Sequence, residues 1–213
     1  MPTLIRDGAA RAPVYAAVAG VIWLAMFVEG AGPVDQDLLK ALYSGGGPVL
    51  AEAARLVTLL GGGYFVTGAT ALAAIVLVRR KQHWPATVLF AGNLVGRLLV
   101  EFQKYELNRL RPDANPHLVH VYTLSFPSGH SANAVMTYVA MAVLLVRDRR
   151  GRRLWVGAAI VLALLVGLSR VMLGVHWPSD VIAGWSFGAL WVLVMLWFAE
   201  RGAPAARAKG RAK

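Results

Sequence analysis

Long apolar stretches alternate along this chain with short charged segments. A membrane-spanning helix needs about 20 residues, and each stretch reaches that length once its polar ends are included. The pattern predicts six helices with apolar cores at residues 14–28, 56–78, 85–100, 132–146, 154–168 and 181–199. We therefore expect an all-α fold, a polytopic membrane helical bundle of six transmembrane helices over residues 1–200, followed by a basic tail at 201–213.

The first apolar stretch has a second interpretation. Arg6 and Arg11 precede it, and a short apolar run after basic residues is also typical of a signal peptide. Residues 29–33, Glu-Gly-Ala-Gly-Pro, form a poor cleavage site of the small-x-small type. We expect the stretch to be retained as a membrane anchor.

Composition supports a membrane protein. Apolar residues make up 57% of the chain and charged residues 15%, with a mean hydropathy of +0.55. Soluble domains have about 45–50% apolar and about 25% charged residues. The chain has no cysteine, which excludes a disulfide framework and a thiolate metal site.

The net charge of +11 is compatible with nucleic acid, with anionic lipid or with basic cytoplasmic loops. If the N-terminus is inside and the helices alternate, 15 of the 22 Lys and Arg residues lie on the inner side. This bias predicts that both termini are cytoplasmic, and it explains the charge without a nucleic-acid partner. We expect an inner-membrane protein whose site faces the periplasmic or extracellular side, with the tail serving as a topology signal rather than a headgroup-binding segment.

Residues 33–55 would then lie outside. Residues 37–43 and 49–55 have the pattern of two short amphipathic helices, separated by Gly-Gly-Gly-Pro at 45–48. Such helices could lie in the membrane interface as a lid or a ramp for lipid. A purely structural connector fits equally well, and the sequence does not choose between the two.

Three cations lie at the outer ends of predicted helices. Lys104 and Arg111 flank the end of the third helix, and Arg170 ends the fifth. Charge beside apolar helices is costly, and Arg and Lys suit phosphate oxygens. Ser128 and Gly129 open the fourth helix, where free N–H groups and the helix dipole favour an anion. The predicted ligand is a phosphate group held by these five residues.

Two histidines and one aspartate reach the same face. His176 and Asp180 are four residues apart near Pro178, which suits the first turn of a helix. A carboxylate on one ring nitrogen leaves the other free to attack phosphorus. His130 would protonate the departing oxygen and then activate water. This arrangement predicts a phosphohistidine at His176, and we expect no metal or other cofactor.

Three motifs carry these residues: Lys104-(six residues)-Arg111-Pro112, Pro127-Ser128-Gly129-His130, and Ser169-Arg170-(five residues)-His176-(three residues)-Asp180. In order and spacing they resemble the signature of the type 2 phosphatidic acid phosphatase (PAP2) superfamily. The resemblance implies a membrane helical bundle with metal-independent phosphatase activity on lipid phosphates. Family substrates include phosphatidic acid, phosphatidylglycerophosphate and undecaprenyl diphosphate, and a polyprenyl diphosphate is slightly favoured here.

Other functions remain open at this stage. A lipid phosphotransferase would use the same site with a different acceptor. A channel, transporter or lipid-binding scaffold would not need both histidines, and the apolar helices argue against a soluble haloperoxidase with similar motifs. Oligomeric state cannot be predicted.

Several polar residues have simpler interpretations. His117 and His120 lack a cysteine or carboxylate partner for a metal site, and Ser169 is expected to pack or bond to backbone. Arg97 and Glu101 have the i,i+4 spacing of an ion pair within one helix. Nothing in the sequence assigns a role to Arg109.

Overall fold

The computed structural model describes residues 11–45 and 47–202, and within these ranges the fold is entirely helical. Its eight helices are α1 (Ala12–Glu29), α2 (Pro33–Leu42), α3 (Pro48–Leu59), α4 (Gly63–Arg79), α5 (His83–Leu107), α6 (Gly129–Leu145), α7 (Arg149–Met172) and α8 (Pro178–Arg201). The all-α prediction is confirmed. Most of the predicted basic tail, from residue 203 onward, lies outside the described residues.

Four helices, α1, α5, α7 and α8, are long and apolar enough to cross a membrane. Helices α3 and α4 pass the same test together, with a bend of 44° between them, so they supply a fifth span if counted as one. Helix α6 is apolar but shorter than each of these four long helices. A multi-pass membrane bundle is thus supported, whereas the predicted number of six spans is not confirmed.

The short helix α6 occupies the centre of the bundle. It contacts α5, α7 and α8, and its middle turn, Val135–Val139, is a π-helix. Thr137 in this turn donates a buried hydrogen bond of 2.8 Å to the Asn93 side-chain oxygen on α5. π-turns occur frequently at functional sites, and this one lies directly below the first turn of α6.

Small residues let α8 approach α6 closely. A Cβ atom added to Gly184 would lie 2.5 Å from the backbone oxygen of Ser128, and one added to Gly188 would lie 3.0 Å from that of Ala132. No side chain fits at such distances without a shift of the backbone. The start of α6 is therefore held directly against the first turns of α8.

Helices α2 and α3 pack on the segment that joins α7 to α8. Asp35 on α2 accepts a 2.8 Å hydrogen bond from the backbone N–H of Ser179 and another from its hydroxyl, and Leu39 packs in a buried cluster with Val171 and Trp177. Helix α3 runs on to Leu59 and leads into α4 rather than lying apart. These contacts favour a structural connector over a lid.

Candidate active site

A cavity of about 520 Å³ lies at the end of the bundle where α5 and α7 end and α6 and α8 begin. Six of the eight predicted site residues line it: Lys104, Arg111, Gly129, His130, Arg170 and His176. The structure thus brings together side chains from three separate sequence motifs. Ser128 and Asp180 are fully buried and lie outside the lining.

His176 is held from behind by Asp180. The sequence placed the start of the last helix near Pro178, and α8 does begin there. His176 therefore lies just before the helix and Asp180 in its first turn, with 3.3 Å between the ring Nδ1 and a carboxylate oxygen. With the Nδ1 proton directed at this carboxylate, the other nitrogen, Nε2, is an unprotonated acceptor. It accepts a hydrogen bond from Nη1 of Arg111 at 3.2 Å.

The carboxylate of Asp180 is saturated with donors. One oxygen accepts the backbone N–H of Trp177 at 2.9 Å and the hydroxyl of Ser125. The other pairs with Arg109 at 3.0 Å. Each donor favours the charged carboxylate and fixes its orientation, so His176 faces a rigid anion.

Ser125 was missed in the sequence, although it contacts both members of this pair. Its hydroxyl lies 3.4 Å from Nδ1 of His176 in addition to its bond with Asp180. Ser125 lies only three residues before Ser128, but no feature of the loop from 108 to 128 marks it. Only the folded loop shows that this hydroxyl turns inward.

Burial and neighbouring cations keep His176 neutral. The side chain is 1% exposed. Desolvation is the largest cause that holds its pKa well below the usual value of 6.5, and the charges of Arg111, Arg170 and Lys104 lower it further. A neutral imidazole with an unprotonated Nε2 is the form that can act as a nucleophile.

Two of the three predicted cations are buried beside polar partners. Lys104 donates a 2.9 Å hydrogen bond to Thr123 and lies 3.4 Å from Glu101. Arg170, 4% exposed, donates to the Thr58 hydroxyl at 2.8 Å, while its buried Nε has no partner among the described residues. An unsatisfied guanidinium N–H beside a cavity fits an anion, since leaving it unpaired is costly.

Arg111 is fixed in place by the backbone around it. It donates to the carbonyl oxygens of Thr123 at 2.7 Å, Val175 at 2.5 Å and Leu124 at 3.2 Å. These bonds tie the loop that follows α5 to the loop that precedes α8. The guanidinium is thereby held against Nε2 of His176.

Ser128 and Gly129 were both predicted to bind phosphate, but only Gly129 lines the cavity. The Ser128 hydroxyl accepts a hydrogen bond from Ser131 at 3.0 Å, and its backbone N–H donates to the carbonyl of Asp180 at 2.9 Å. Neither group faces the cavity. Gly129 does line it, and a Cβ added there would lie 3.5 Å from Nζ of Lys104. The helix start therefore offers backbone N–H groups rather than the serine hydroxyl.

His130 lines the cavity next to the bend between α3 and α4. A Cβ added to Gly62 would lie 3.9 Å from its Nε2. The described residues give its ring no hydrogen-bond partner, so both ring nitrogens are free to exchange protons with a ligand or water.

Polar residues outside the predicted site also have defined partners. Arg109 donates to the carbonyls of Met26 and Phe27 as well as to Asp180, so it links α1 to the site. The predicted pair of Arg97 with Glu101 is wrong: Arg97 turns toward α4, at 2.5 Å from Thr67, and Glu101 toward Lys104.

Ser169 donates to the Val166 carbonyl, as expected of a packing residue. His117 contacts the Pro112 carbonyl. In the part of the chain that the structure describes, no three His, Asp or Glu side chains cluster in a way that could hold a metal ion.

Comparison with known proteins adds independent findings. Residues 84–203 match the PAP2 superfamily. The chain is 31% identical to phosphatidylglycerophosphatase B of Bacillus subtilis, over 85% of this chain and 91% of that protein. It is 34% identical to an undecaprenyl-diphosphatase of Sulfolobus acidocaldarius, over 56% and 57% of the two chains. The crystal structure of a transmembrane PAP2-type phosphatidylglycerolphosphate phosphatase from B. subtilis superposes with a TM-score of 0.82 at 29% identity, covering 89% of this chain and 98% of the other.

Proposed function

Because this chain belongs to the PAP2 superfamily, we propose that it hydrolyses the phosphate or diphosphate of a membrane lipid through a phosphohistidine at His176, without a metal ion. The observation that carries the proposal is the position of His176 Nε2. It faces the cavity at 3.2 Å from Arg111 and shares the cavity with Lys104 and Arg170. The similar proteins named above include phosphatases of glycerolipid and of polyprenyl phosphates.

In the first step, Nε2 of His176 forms a bond to phosphorus, and the bond from phosphorus to the lipid oxygen breaks. His130, which enters the step protonated on both ring nitrogens, donates a proton to that departing oxygen and becomes neutral. The Nδ1 proton stays on the ring and faces Asp180, which stabilises the positive charge on the imidazole. Proton transfer by a positioned side chain contributes about 10²–10⁴-fold in rate.

In the second step, water attacks phosphorus as His130 takes one of its protons. The phosphorus–nitrogen bond breaks, phosphate leaves, and His176 returns to its neutral form. Lys104, Arg111 and Arg170 hold the three phosphoryl oxygens in both steps. Fixed cations in a water-poor site stabilise the charge of such a transition state without reorganisation.

The distribution of charge supports the proposed orientation. The cavity lies at one end of the bundle, while Arg80, Lys81, Arg152 and Arg153 belong to helix ends and turns at the other. Basic residues concentrate on the cytoplasmic side of membrane proteins. We place the cavity on the periplasmic or extracellular side of a cell inner membrane, with six spans that include the short α6 and both termini in the cytoplasm.

The test is phosphate release by detergent-purified protein in the presence of EDTA, with phosphatidylglycerophosphate, undecaprenyl diphosphate and phosphatidic acid as substrates. The variant His176→Ala is expected to abolish release, and His83→Ala, a histidine at the start of α5, serves as the matched control. An acid-labile phosphoprotein formed by the wild type and absent from His176→Ala would support the covalent step.

Three outcomes would contradict the proposal. Phosphate release that persists in His176→Ala would show that His176 is not the nucleophile. Release that EDTA abolishes and Zn²⁺ or Mg²⁺ restores would refute metal independence. With a substrate that carries radiolabelled phosphate, transfer of the label to a second lipid instead of to free phosphate would identify a phosphotransferase.

A further inference from the structure

Arg97 lies at the junction of two cavities, and the proposed reaction does not use it. It lines the catalytic cavity together with Leu94, and the same two residues line a second cavity of about 70 Å³ between α4 and α5. The second cavity is otherwise lined by Val66, Thr67, Thr70, Phe90 and Asn93. The Arg97 side chain therefore lies where the two cavities adjoin.

The guanidinium of Arg97 is only partly satisfied. Its Nη1 donates to the Thr67 hydroxyl at 2.5 Å and to the Gly63 carbonyl at 3.3 Å. Within residues 11–45 and 47–202, Nε and Nη2 have no hydrogen-bond partner, and no carboxylate lies within ion-pair distance. A cation in the middle of a spanning helix is costly unless it has a partner, and Arg97 lines both cavities.

The position of Arg97 relative to the reacting groups follows from the α3–α4 bend. Gly62 approaches Nε2 of His130, and the next residue, Gly63, approaches Nη2 of Arg97, where an added Cβ would lie only 2.6 Å away. Arg97 also precedes Lys104 by seven residues on α5, or about two helical turns. Its guanidinium is therefore near the reacting phosphate but closer to the membrane centre.

Apolar side chains surround this position on the outside of the bundle. Leu59, Leu94 and Leu98 line the catalytic cavity and are 60%, 51% and 61% exposed. In a membrane these surfaces meet lipid tails. A lipid whose terminal phosphate reaches His176 would direct its tails toward these leucines, and the part of the molecule between phosphate and tails would lie beside Arg97.

On the basis of the proposed function, we propose that Arg97 binds a second phosphate group, located between the phosphate that is removed and the lipid tails. It would select lipids that carry two phosphates in series. A polyprenyl diphosphate has this second phosphate directly attached, and phosphatidylglycerophosphate has it as the phosphodiester across a glycerol. Phosphatidic acid has a single phosphate, so it offers Arg97 no anion at this position.

The test measures kcat/KM for these three lipids in wild type, Arg97→Gln and Thr67→Val. Glutamine keeps the length and polarity of the side chain but removes the charge. The ratio of kcat/KM for a two-phosphate lipid to that for phosphatidic acid is expected to fall about 10- to 100-fold in Arg97→Gln, the range of a charge-assisted hydrogen bond. Thr67→Val removes the hydroxyl that anchors Arg97 but keeps the cation, so the ratio should stay near that of the wild type.

Each outcome has a defined meaning. An unchanged ratio in Arg97→Gln would overturn the inference, and so would an equal loss for all three lipids in both variants, because Arg97 would then only join α4 to α5. A loss confined to one two-phosphate lipid would support the inference and identify which spacing of phosphates is read.

A second measurement does not depend on turnover. Methylenediphosphonate should raise the melting temperature of the wild type at lower concentration than methylphosphonate does, and Arg97→Gln should remove this preference. Equal effects of the two probes on the wild type would overturn the inference. A preference for the diphosphonate in a protein that hydrolyses no lipid would instead support the second-phosphate site and reject the proposed hydrolysis.

Discussion

Replacement of Asp180 by asparagine removes the charge behind His176 and changes almost nothing else in size. The carboxylate lies 3.3 Å from Nδ1 of the ring. At an effective dielectric of about 20, two unit charges at that separation attract by about 5 kcal/mol. This attraction acts when the ring becomes positively charged on bonding to phosphorus, so its loss raises the barrier of the first step.

The magnitude of the effect has two bounds. The full attraction corresponds to between three and four powers of ten in rate. A single charge-assisted hydrogen bond, about 1.5–3 kcal/mol, corresponds to about 10- to 100-fold. We expect kcat of Asp180→Asn to fall about 10²- to 10³-fold, between these two bounds. KM should change little, because Asp180 does not line the cavity.

The assay is phosphate release under saturating and limiting substrate, with Asp35→Asn as the matched control. Asp35 is also a buried carboxylate, 3% exposed, but it binds Ser179 and not the histidine. Both variants should lower the melting temperature, and only Asp180→Asn should lower kcat by the predicted factor. A kcat within about threefold of wild type for Asp180→Asn, or an equal loss in both variants, would refute the electrostatic argument, since the calculated effect is far larger.

Two further predictions follow from the same geometry. Burial and neighbouring cations hold the pKa of His176 well below 6.5, so the histidine stays neutral as the pH falls through that value. On the acid side, kcat/KM should therefore begin to decrease only below pH 6.5. A decrease that begins at or above pH 6.5 would contradict this. Gly184→Ala should lower stability by about 1–3 kcal/mol through overpacking against Ser128, measured by thermal unfolding in detergent, whereas Gly157→Ala, with open space around it, should not.

The residues that we propose as catalytic could be picked out from the sequence because chemistry restricts such residues to fixed spacings along the chain. The four-residue spacing of His176 and Asp180 was expected to bring the side chains together, and Pro178 was expected to begin the helix; both features appear in the structure. Convergence of the motifs also followed from alternating helices, since their outer ends must meet on one side.

The supporting residues were not predictable, since their partners are distant in sequence. Thr58 contacts Arg170 across 112 positions, and Asp35 contacts Ser179 across 144. Threonine and aspartate in such segments have many ordinary roles, so neither has a signature.

Local spacing also misled in one case. Arg97 and Glu101 satisfy the i,i+4 rule, but each finds a better partner outside that pairing. The choice depends on where α4 and Lys104 lie, which is a property of the folded bundle.

The link between Arg109 and its partners has a consequence for biosynthesis. Arg109 joins the carbonyl oxygens at the end of α1 to the carboxylate of Asp180 on α8. Helix α1 is the first described helix to leave the ribosome, and α8 is the last. Until α8 is inserted, a nascent chain lacks the carboxylate that orients His176 and the anion that neutralises Arg109. The arrangement proposed for catalysis is therefore complete only once α8 has been inserted, and a chain that has inserted α1 but not α8 would not act on the lipids around it.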